Sequence, residues 1–340
     1  MPAVLDALHR AAARENLSAG EAEAALEEIL SGAATPAQVA GLLVALRMKG
    51  ESAEEVEGFA RAMRRRATRV ECPPDPRPLV DTCGTGGDGA RTFNISTAAA
   101  FVVAGAGARV AKHGNRSVSS RCGSADVLEE LGANLTIEPA RVAECIEQTG
   151  FGFLFAPALH PAMRHVQPVR GELKMRTVFN ILGPLANPAG AEVQVVGVYE
   201  ARLVRLVAEA LARLGLRSGL VVHGSDGLDE ITTTAATQTA VIAGGHIGER
   251  TLQPEDFGVA RARPEDLGGG DRAQNAAVVR AVLAGEAGPA RDIVVVNAAA
   301  ALVAAGLAPD YRAGAARAAE SIDSGRARRA LEAFAAATRR

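Results

Sequence analysis

Apolar residues in the first part of the chain recur at helical spacing. Leu26, Ile29 and Leu30 form one stripe; Val39, Leu42, Leu43 and Leu46 form a second. This is the periodicity of helices that bury one face. Start signals accompany them. Ser18 stands three residues before Glu21, as in a capping box, Thr35-Pro36 puts proline at a tolerated first helical position, and Ser52 with Glu55 opens a third helix. No strand pattern interrupts the first 65 or so residues, which read as helical throughout.

The pattern changes after the proline-rich stretch Cys72 to Pro78, read as a linker or hinge. Beyond it, short apolar runs alternate with Ala-rich helical segments: Leu79-Val80, Ala108 to Ala111, Val193 to Val198, Leu220 to His223, Thr239 to Ala243 and Ile293 to Asn297. That alternation predicts an α/β fold. A long helical insert is expected from His160 to about Phe179, and no internal repeat is evident.

Composition narrows the class. A chain of 340 residues suggests two domains at roughly 150 residues each. With 48% hydrophobic and 22% charged residues it is globular. There is no Trp and only 3% aromatic content, so Ala, Val, Leu and Ile must build the core. A net charge of −2 argues against a non-specific nucleic-acid binder. The run Arg64 to Arg66 reads as the solvated end of a helix. Cys72, Cys83, Cys122 and Cys145 lack CxxC spacing, so neither a zinc site nor a disulfide framework is expected. Met1 to Arg14 carries Asp6, His9, Arg10 and Arg14 and lacks the apolar core of a secretion signal; Phe93 to Gly107 is too short for a membrane span. The expected location is the cytoplasm.

Two loops carry the candidate chemistry. Asp81-Thr82-Cys83-Gly84-Thr85-Gly86-Gly87-Asp88-Gly89 follows the short strand Pro78 to Val80 and precedes a helix expected near Ser96-Thr97-Ala98. Glycines let backbone N–H groups curl around an anion, and a helix start adds free donors. It is not a Walker loop, and its last glycine falls at the wrong offset for a dinucleotide fingerprint. On its own it fits a plain tight turn equally well. Lys112-His113-Gly114-Asn115-Arg116-Ser117-Val118-Ser119-Ser120, after a strand Arg109 to Ala111, gathers two cations, an imidazole, an amide and three hydroxyls. Such a loop can wrap a highly charged phosphate group. Asp229-Glu230 fits either an exposed acidic turn or a pair of hard oxygen ligands for Mg²⁺.

In order and spacing, Gly84-Thr85-Gly86-Gly87-Asp88, Asn94-Ile95-Ser96-Thr97, Lys112-His113-Gly114-Asn115-Arg116 and Gly123-Ser124-Ala125-Asp126 resemble the anthranilate phosphoribosyltransferase family. So do His160-Pro161-Ala162-Met163, Pro168-Val169-Arg170, Arg176 to Asn180, Gly183 to Pro188 and Asp226 to Glu230, and the resemblance spans nearly the whole chain. It implies transfer of phosphoribose from phosphoribosyl pyrophosphate to anthranilate, the second step of tryptophan synthesis from chorismate. It implies a small N-terminal helical domain (1–70, joined by the insert near 160–182). A larger α/β domain (71–159 and 183–340) would carry a central, mostly parallel sheet flanked by helices. It further implies an active site in the hinge cleft, a homodimer joined through the helical domain, and two Mg²⁺ ions per subunit.

Residue by residue, the resemblance places Gly84, Gly87, Asp88 and Thr92 around the diphosphate and ribose. Asn94, Ile95, Ser96 and Thr97 meet the phosphates, Lys112 through Ser120 (Lys112, His113, Gly114, Asn115, Arg116, Ser117, Val118, Ser119, Ser120) wrap the substrate, and Ser124 stands close behind. Ser96, Asp229 and Glu230 become metal ligands. Anthranilate meets Gly84 and Asn115, with its carboxylate facing Arg170, a natural fork for it. His113, His160 and Pro184 shape the channel; no general base is assigned, although His113 could take a proton late. Leu159 and Lys174 depart from the family pattern, where an aromatic or His and a Gly are more usual. Two competing readings are a pyrimidine nucleoside phosphorylase, which shares the fold, and a non-catalytic nucleic-acid-binding member. The stretches around Arg170 and Asn180 to Pro188 argue against the first, the near-neutral charge and the intact acidic pair against the second.

Overall fold

The structure is a computed structural model that describes residues 2–117 and 121–339. Four helices lead the chain: α1 (Ala3–Ala12), α2 (Ala19–Leu30), α3 (Pro36–Lys49) and α4 (Ala53–Arg66). Ser18, Thr35 and Ser52 each accept from the N3 backbone N–H, while Glu21, Gln38 and Glu55 return the bond. Glu55 does more than cap. It is fully buried, takes Lys49 at 2.9 Å and accepts the Leu17 N–H at 2.9 Å, so one carboxylate ties α3 and α4 to the chain before α2.

Next come β1 (Leu79–Gly84), α5 (Ile95–Gly105), β2 (Arg109–Gly114), α6 (Ser124–Glu130), α7 (Pro139–Thr149) and β3 (Phe151–Phe155). The insert follows as α8 (Ala156–Leu159), a 3₁₀ turn Pro161–His165, α9 (Gln167–Leu173) and α10 (Phe179–Leu185). The rest is β4 (Val193–Gly197), α11 (Leu203–Arg213), β5 (Ser218–Gly224), β6 (Thr237–Ala243), β7 (His246–Leu252), α12 (Arg272–Leu283), α13 (Pro289–Ala304), α14 (Tyr311–Asp323) and α15 (Arg326–Ala337).

One seven-stranded sheet runs in the order β3-β2-β1-β4-β5-β6-β7. The first five strands in that order are mutually parallel, and β6 is antiparallel to both of its neighbours, β5 and β7. Side chains alternate between two faces. Val193, Val195, Leu220 and Val222 pack with α5 and α13, whereas Val196, Val198 and Val221 join the core of the leading helices and α11. Strand order reverses between β1 and β4, and in open α/β sheets ligands bind beyond the carboxyl ends of the strands at such a point.

Four expectations need correction. Ile293 to Asn297 lies within helix α13, fully surrounded by core, where an apolar run on every side carries no strand period. Strands Phe151–Phe155 and His246–Leu252 were not anticipated: Gly152 interrupts the apolar run that would signal the first, and the second is an edge strand with mostly exposed residues. The insert is broken rather than one helix. Lys174 ends α9 with φ 47°, a left-handed C-cap where glycine costs least, which accounts for the family's usual Gly. Finally, Arg64 is not solvated: its Nε donates to the Leu185 carbonyl at 2.7 Å, docking α4 on α10.

Candidate active site

The glycine-rich loop leaves β1 at the switch point and is held on both sides. Gly84 pairs with Gly197 of β4. A Cβ on Gly84 would meet Asp229 Oδ2 at 2.5 Å, and one on Gly197 would strike the Asp229 carbonyl oxygen. Glycine at both positions therefore admits the carboxylate loop. Gly86 and Gly87 adopt φ 65° and 77°, which side chains resist. The Gly86 N–H donates to Asp229 Oδ2 at 2.7 Å, and the Asp229 N–H faces Asp88 Oδ2 at 3.4 Å. Beyond the loop, Thr92 bridges to Gly268. Asn94 Nδ2 donates to the Cys122 carbonyl at 3.2 Å, while its Oδ1 accepts from the buried Asn275 at 2.9 Å. Ile95 is buried in the core, so only its backbone can face a ligand. Thr97 is also buried.

Lys112 and His113 belong to β2, which runs three residues further than expected, and both side chains are buried. Lys112 Nζ donates to the Thr82 carbonyl and to Ser96 Oγ at 3.3 Å. The Ser96 N–H in turn donates to Glu230 Oε1 at 3.1 Å. Beneath them lies Asp81, accepting from the His113 N–H at 3.2 Å and Asn187 Nδ2 at 2.8 Å. Burial raises Asp81 above the usual carboxylate range, opposed by the Lys112 charge; burial likewise lowers Lys112. Gly114 and Asn115 reach the surface region, and the Asn115 carbonyl accepts from Ser124 Oγ at 3.3 Å. Arg116 turns away to Glu129, with two contacts of 2.6 Å, and to Asp126 at 3.2 Å. Asp126 also accepts the Ser117 and Gly123 N–H groups. Val118, Ser119 and Ser120 lie outside the described residues.

Asp229 and Glu230 face this corner half-buried. Burial, then Asp88, then Glu230 push the Asp229 carboxyl well above its ordinary value. Glu230 is raised to about 7 by burial, against the favourable Lys112 charge and the Ser96 N–H. Three acids with one ammonium leave surplus negative charge that a divalent cation would relieve. Among the described residues no group of three or more His, Cys, Asp or Glu could hold an ion by itself. The donor set fits Mg²⁺, which takes one or two carboxylates and completes its shell with waters and substrate phosphate oxygens.

On the other side of β2 a histidine pair fixes its own tautomers. His113 Nδ1 lies 3.0 Å from the Gly183 carbonyl, which can only accept, so Nδ1 carries the proton. Neutral His113 then offers Nε2 as acceptor to His160 Nε2–H, 3.2 Å away. Burial depresses His113 to about 3 and His160 to about 4. His113 is thus a poor proton acceptor, because its one lone pair is engaged. Unfolded histidines take protons near 6.5, so acid stabilises the unfolded chain before these rings can charge in the fold, and stability is lost as pH falls below that value. Relative to the wild type, the double variant His113→Asn/His160→Asn is expected to lose stability less steeply between pH 6.5 and 4.5. The difference should reach at most about 1.4 kcal/mol per pH unit for each ring. Urea unfolding across that range checks it; parallel slopes would mean that the pair is not buried neutral.

Pro184 is buried in α10, its carbonyl held by Gln194 Nε2 at 2.8 Å. Leu159 packs into a small core with Leu79, Ala111 and Leu154. Arg170 is half-buried over the Phe179 ring at 5.6 Å, and its guanidinium makes no hydrogen bond or ion pair among the described residues. Burial pushes Cys83 well above a thiol's ordinary value, which fits a filler rather than a nucleophile. Sequence reasoning missed Asp81, Asn187 and Asn275 as organisers of the site, and Asn297, whose amide grips both backbone groups of Ile231 at 3.0 and 2.9 Å and so fixes the residue after Glu230. Asp81, at the start of the glycine motif, and Asn187, within the stretch Gly183 to Pro188, lay in visible signals.

A helical bundle feeding an α/β sheet, with phosphate-type loops at its switch point, defines a glycosyl transferase class. Residues 5–67 match the helical bundle domain of the glycosyl transferase family and residues 76–328 its a/b domain. The chain belongs to the anthranilate phosphoribosyltransferase family. It is 56% identical over 332 residues to the enzyme of Solibacter usitatus, covering 98% of each chain, and 56% identical over 336 residues to that of Rubrobacter xylanophilus, covering 98% of this chain and 97% of the relative. It superposes on the crystal structure of the Thermus thermophilus enzyme with a TM-score of 0.93 at 48% identity, covering 98% of this chain and all of that one. The Saccharomyces cerevisiae enzyme in complex with PRPP and Mg gives 0.90 at 30% identity, covering 99% of this chain and 98% of that one.

Proposed function

We propose that this chain joins anthranilate to the phosphoribosyl group of phosphoribosyl pyrophosphate, releasing pyrophosphate, in the tryptophan pathway. One observation carries the reading: the glycine loop, Lys112, Ser96 and Asp229-Glu230 converge at the carboxyl ends of β1, β2 and the strands beside them. The loop N–H groups and the Asn94–Thr97 turn receive the pyrophosphate and ribose. Ser96, Asp229 and Glu230 would hold two Mg²⁺ ions, which when bound supply positive charge against the departing pyrophosphate. Lys112 keeps the acids ionisable and the Ser96 hydroxyl oriented. Arg170 takes the anthranilate carboxylate, in a channel shaped by the neutral His113–His160 pair and Pro184. The aromatic amine is neutral near pH 7 and attacks by orientation.

The helical unit spans 1–70 and is completed by the insert near 160–182; the α/β unit comprises 71–159 and 183–340. Subunits pair through the helical unit, where Met48 of α3 stands 71% exposed. The enzyme works in the cytoplasm; among the described residues no helix is long and apolar enough to cross a membrane.

Purified protein with anthranilate, phosphoribosyl pyrophosphate and Mg²⁺ should lose anthranilate fluorescence as pyrophosphate appears. No turnover by the folded protein, with activity instead on uridine or thymidine plus phosphate, would move it to the phosphorylases. Arg170→Ala is expected to raise the anthranilate KM about 10- to 100-fold, the worth of a charge-assisted fork. The KM for phosphoribosyl pyrophosphate should stay within a few-fold. Equal rises in both constants would exclude a carboxylate-specific role.

A further inference from the structure

Arg176 lies in the connection between α9 and α10, outside the motif residues with assigned roles, yet it touches the glycine loop. Its guanidinium donates to the Gly87 carbonyl and sits 4.1 Å over the Tyr199 ring. Glu200 faces it at 3.4 Å and is itself held by Arg202 at 2.6 Å, with Arg47 of α3 at 4.0 Å. Stack, ion pair and fork together fix a side chain that is only part-buried. The Tyr199 N–H donates to Thr85 Oγ1 at 3.1 Å, so the platform under Arg176 is pinned to the same loop.

The grip has a consequence for the opposite side of the peptide. In a trans peptide the carbonyl and the following N–H point in opposite directions. Holding the Gly87 carbonyl toward Arg176 aims the Asp88 N–H away from it. Among the described residues, the N–H groups of Gly87, Asp88 and Gly89 donate to no protein group, whereas those of Thr85, Gly86 and Ala90 are all used. Gly86 is fastened to Asp229 and Gly87 to Arg176, so the loop is clamped at two successive residues with its unused donors between and beyond them.

We infer that Arg176 is a positioning residue that orients the Asp88 N–H toward the pyrophosphate of the substrate by holding the Gly87 carbonyl. This rests on the phosphoribosyl pyrophosphate reading of the site. It also ties that loop to the insert that carries Arg170.

The test combines kinetics with amide hydrogen exchange of the substrate-free protein. Arg176→Met is expected to raise the KM for phosphoribosyl pyrophosphate about 10-fold, the scale of one charge-assisted bond. The KM for anthranilate should change less than threefold, and exchange in the peptide spanning Gly86 to Ala90 should quicken severalfold. Glu200→Gln, which leaves Arg176 in place but loosens it, should shift the same constants in the same direction by less. Unchanged exchange in both variants, or a rise in the anthranilate KM alone, overturns the positioning role. If the wild type binds no phosphoribosyl pyrophosphate while Arg176→Met still quickens exchange, the grip stands and the substrate reading fails.

Discussion

Replacing Asp229 by Asn together with Glu230 by Gln is expected to lower kcat/KM about a thousandfold while leaving the metal-free protein at least as stable as the wild type. The loss is the scale of removing a cation's charge stabilisation from a transition state, several kcal/mol. The stability follows from the opposite effect. Without a cation, Asp229 is crowded by Asp88 and Glu230 in a site that burial already makes unfavourable for charge. Neutral amides of the same shape relieve that repulsion and can still accept the Gly86 and Ser96 N–H groups, now at 2.7 and 3.1 Å from the carboxylates. Activity and stability therefore move apart, as expected where function requires a strained arrangement. Initial rates over a Mg²⁺ titration and a thermal melt in chelator decide the matter. Activity within tenfold of the wild type would remove the pair from the metal site, and a large loss of stability would make it structural.

Lys112→Met should be costly in both respects. The lysine is 2% exposed and is the cation nearest to Asp81, which is fully buried, and to Glu230. Removing it leaves those acids buried without a counter-charge, a loss of about 3–5 kcal/mol for a broken buried pair. The Thr82 carbonyl and Ser96 hydroxyl lose a donor as well. Both acids are already raised by burial and would rise further without the ammonium. The fold then binds more protons than the unfolded chain, and stability falls as pH rises through that range. The variant is expected to be destabilised more at pH 7.5 than at pH 5.5, by urea unfolding, and to lose most of its transfer activity. An equal loss at both pH values would attribute the effect to packing rather than charge.

Much of this architecture could be read from local pattern because the physics involved is local. The helix starts were visible as Ser18/Glu21, Thr35-Pro36 and Ser52/Glu55, since a cap needs only residues a few positions apart; the structure adds Gln38 as the partner of Thr35. Most of the strands flanking the glycine loop showed as apolar runs. The failures have equally physical causes. Ile293 to Asn297 is β-branched but sits in α13, because a helix buried all round shows no amphipathic period and the Pro289 start lies four residues upstream. The β7 edge strand is polar, and its only signal was the Gly244-Gly245 turn, with φ 54° and 80°. Asn275 gave no signal, and Asn187 and Asn297 showed only as members of the stretch Gly183 to Pro188 and the run Ile293 to Asn297, since the partners that give them their roles lie 66 to 181 residues away.

What the sequence by itself determined is the chemistry on offer: a glycine run able to take positive φ, a basic segment, an acidic pair and a lone arginine, each legible because side-chain type and short spacing suffice. Only the tertiary structure decided how they meet. Gly86 and Asp229 are 143 residues apart, and Ser96 and Glu230 134 apart. They touch because β1 and β4 are neighbours where the sheet reverses its order, and because Gly84 and Gly197 leave room there for Asp229. The same packing put Lys112 inside rather than on a loop and turned Arg116 outward to Glu129. Burial and long-range pairing depend on which strands lie side by side, and no short window of residues contains that information.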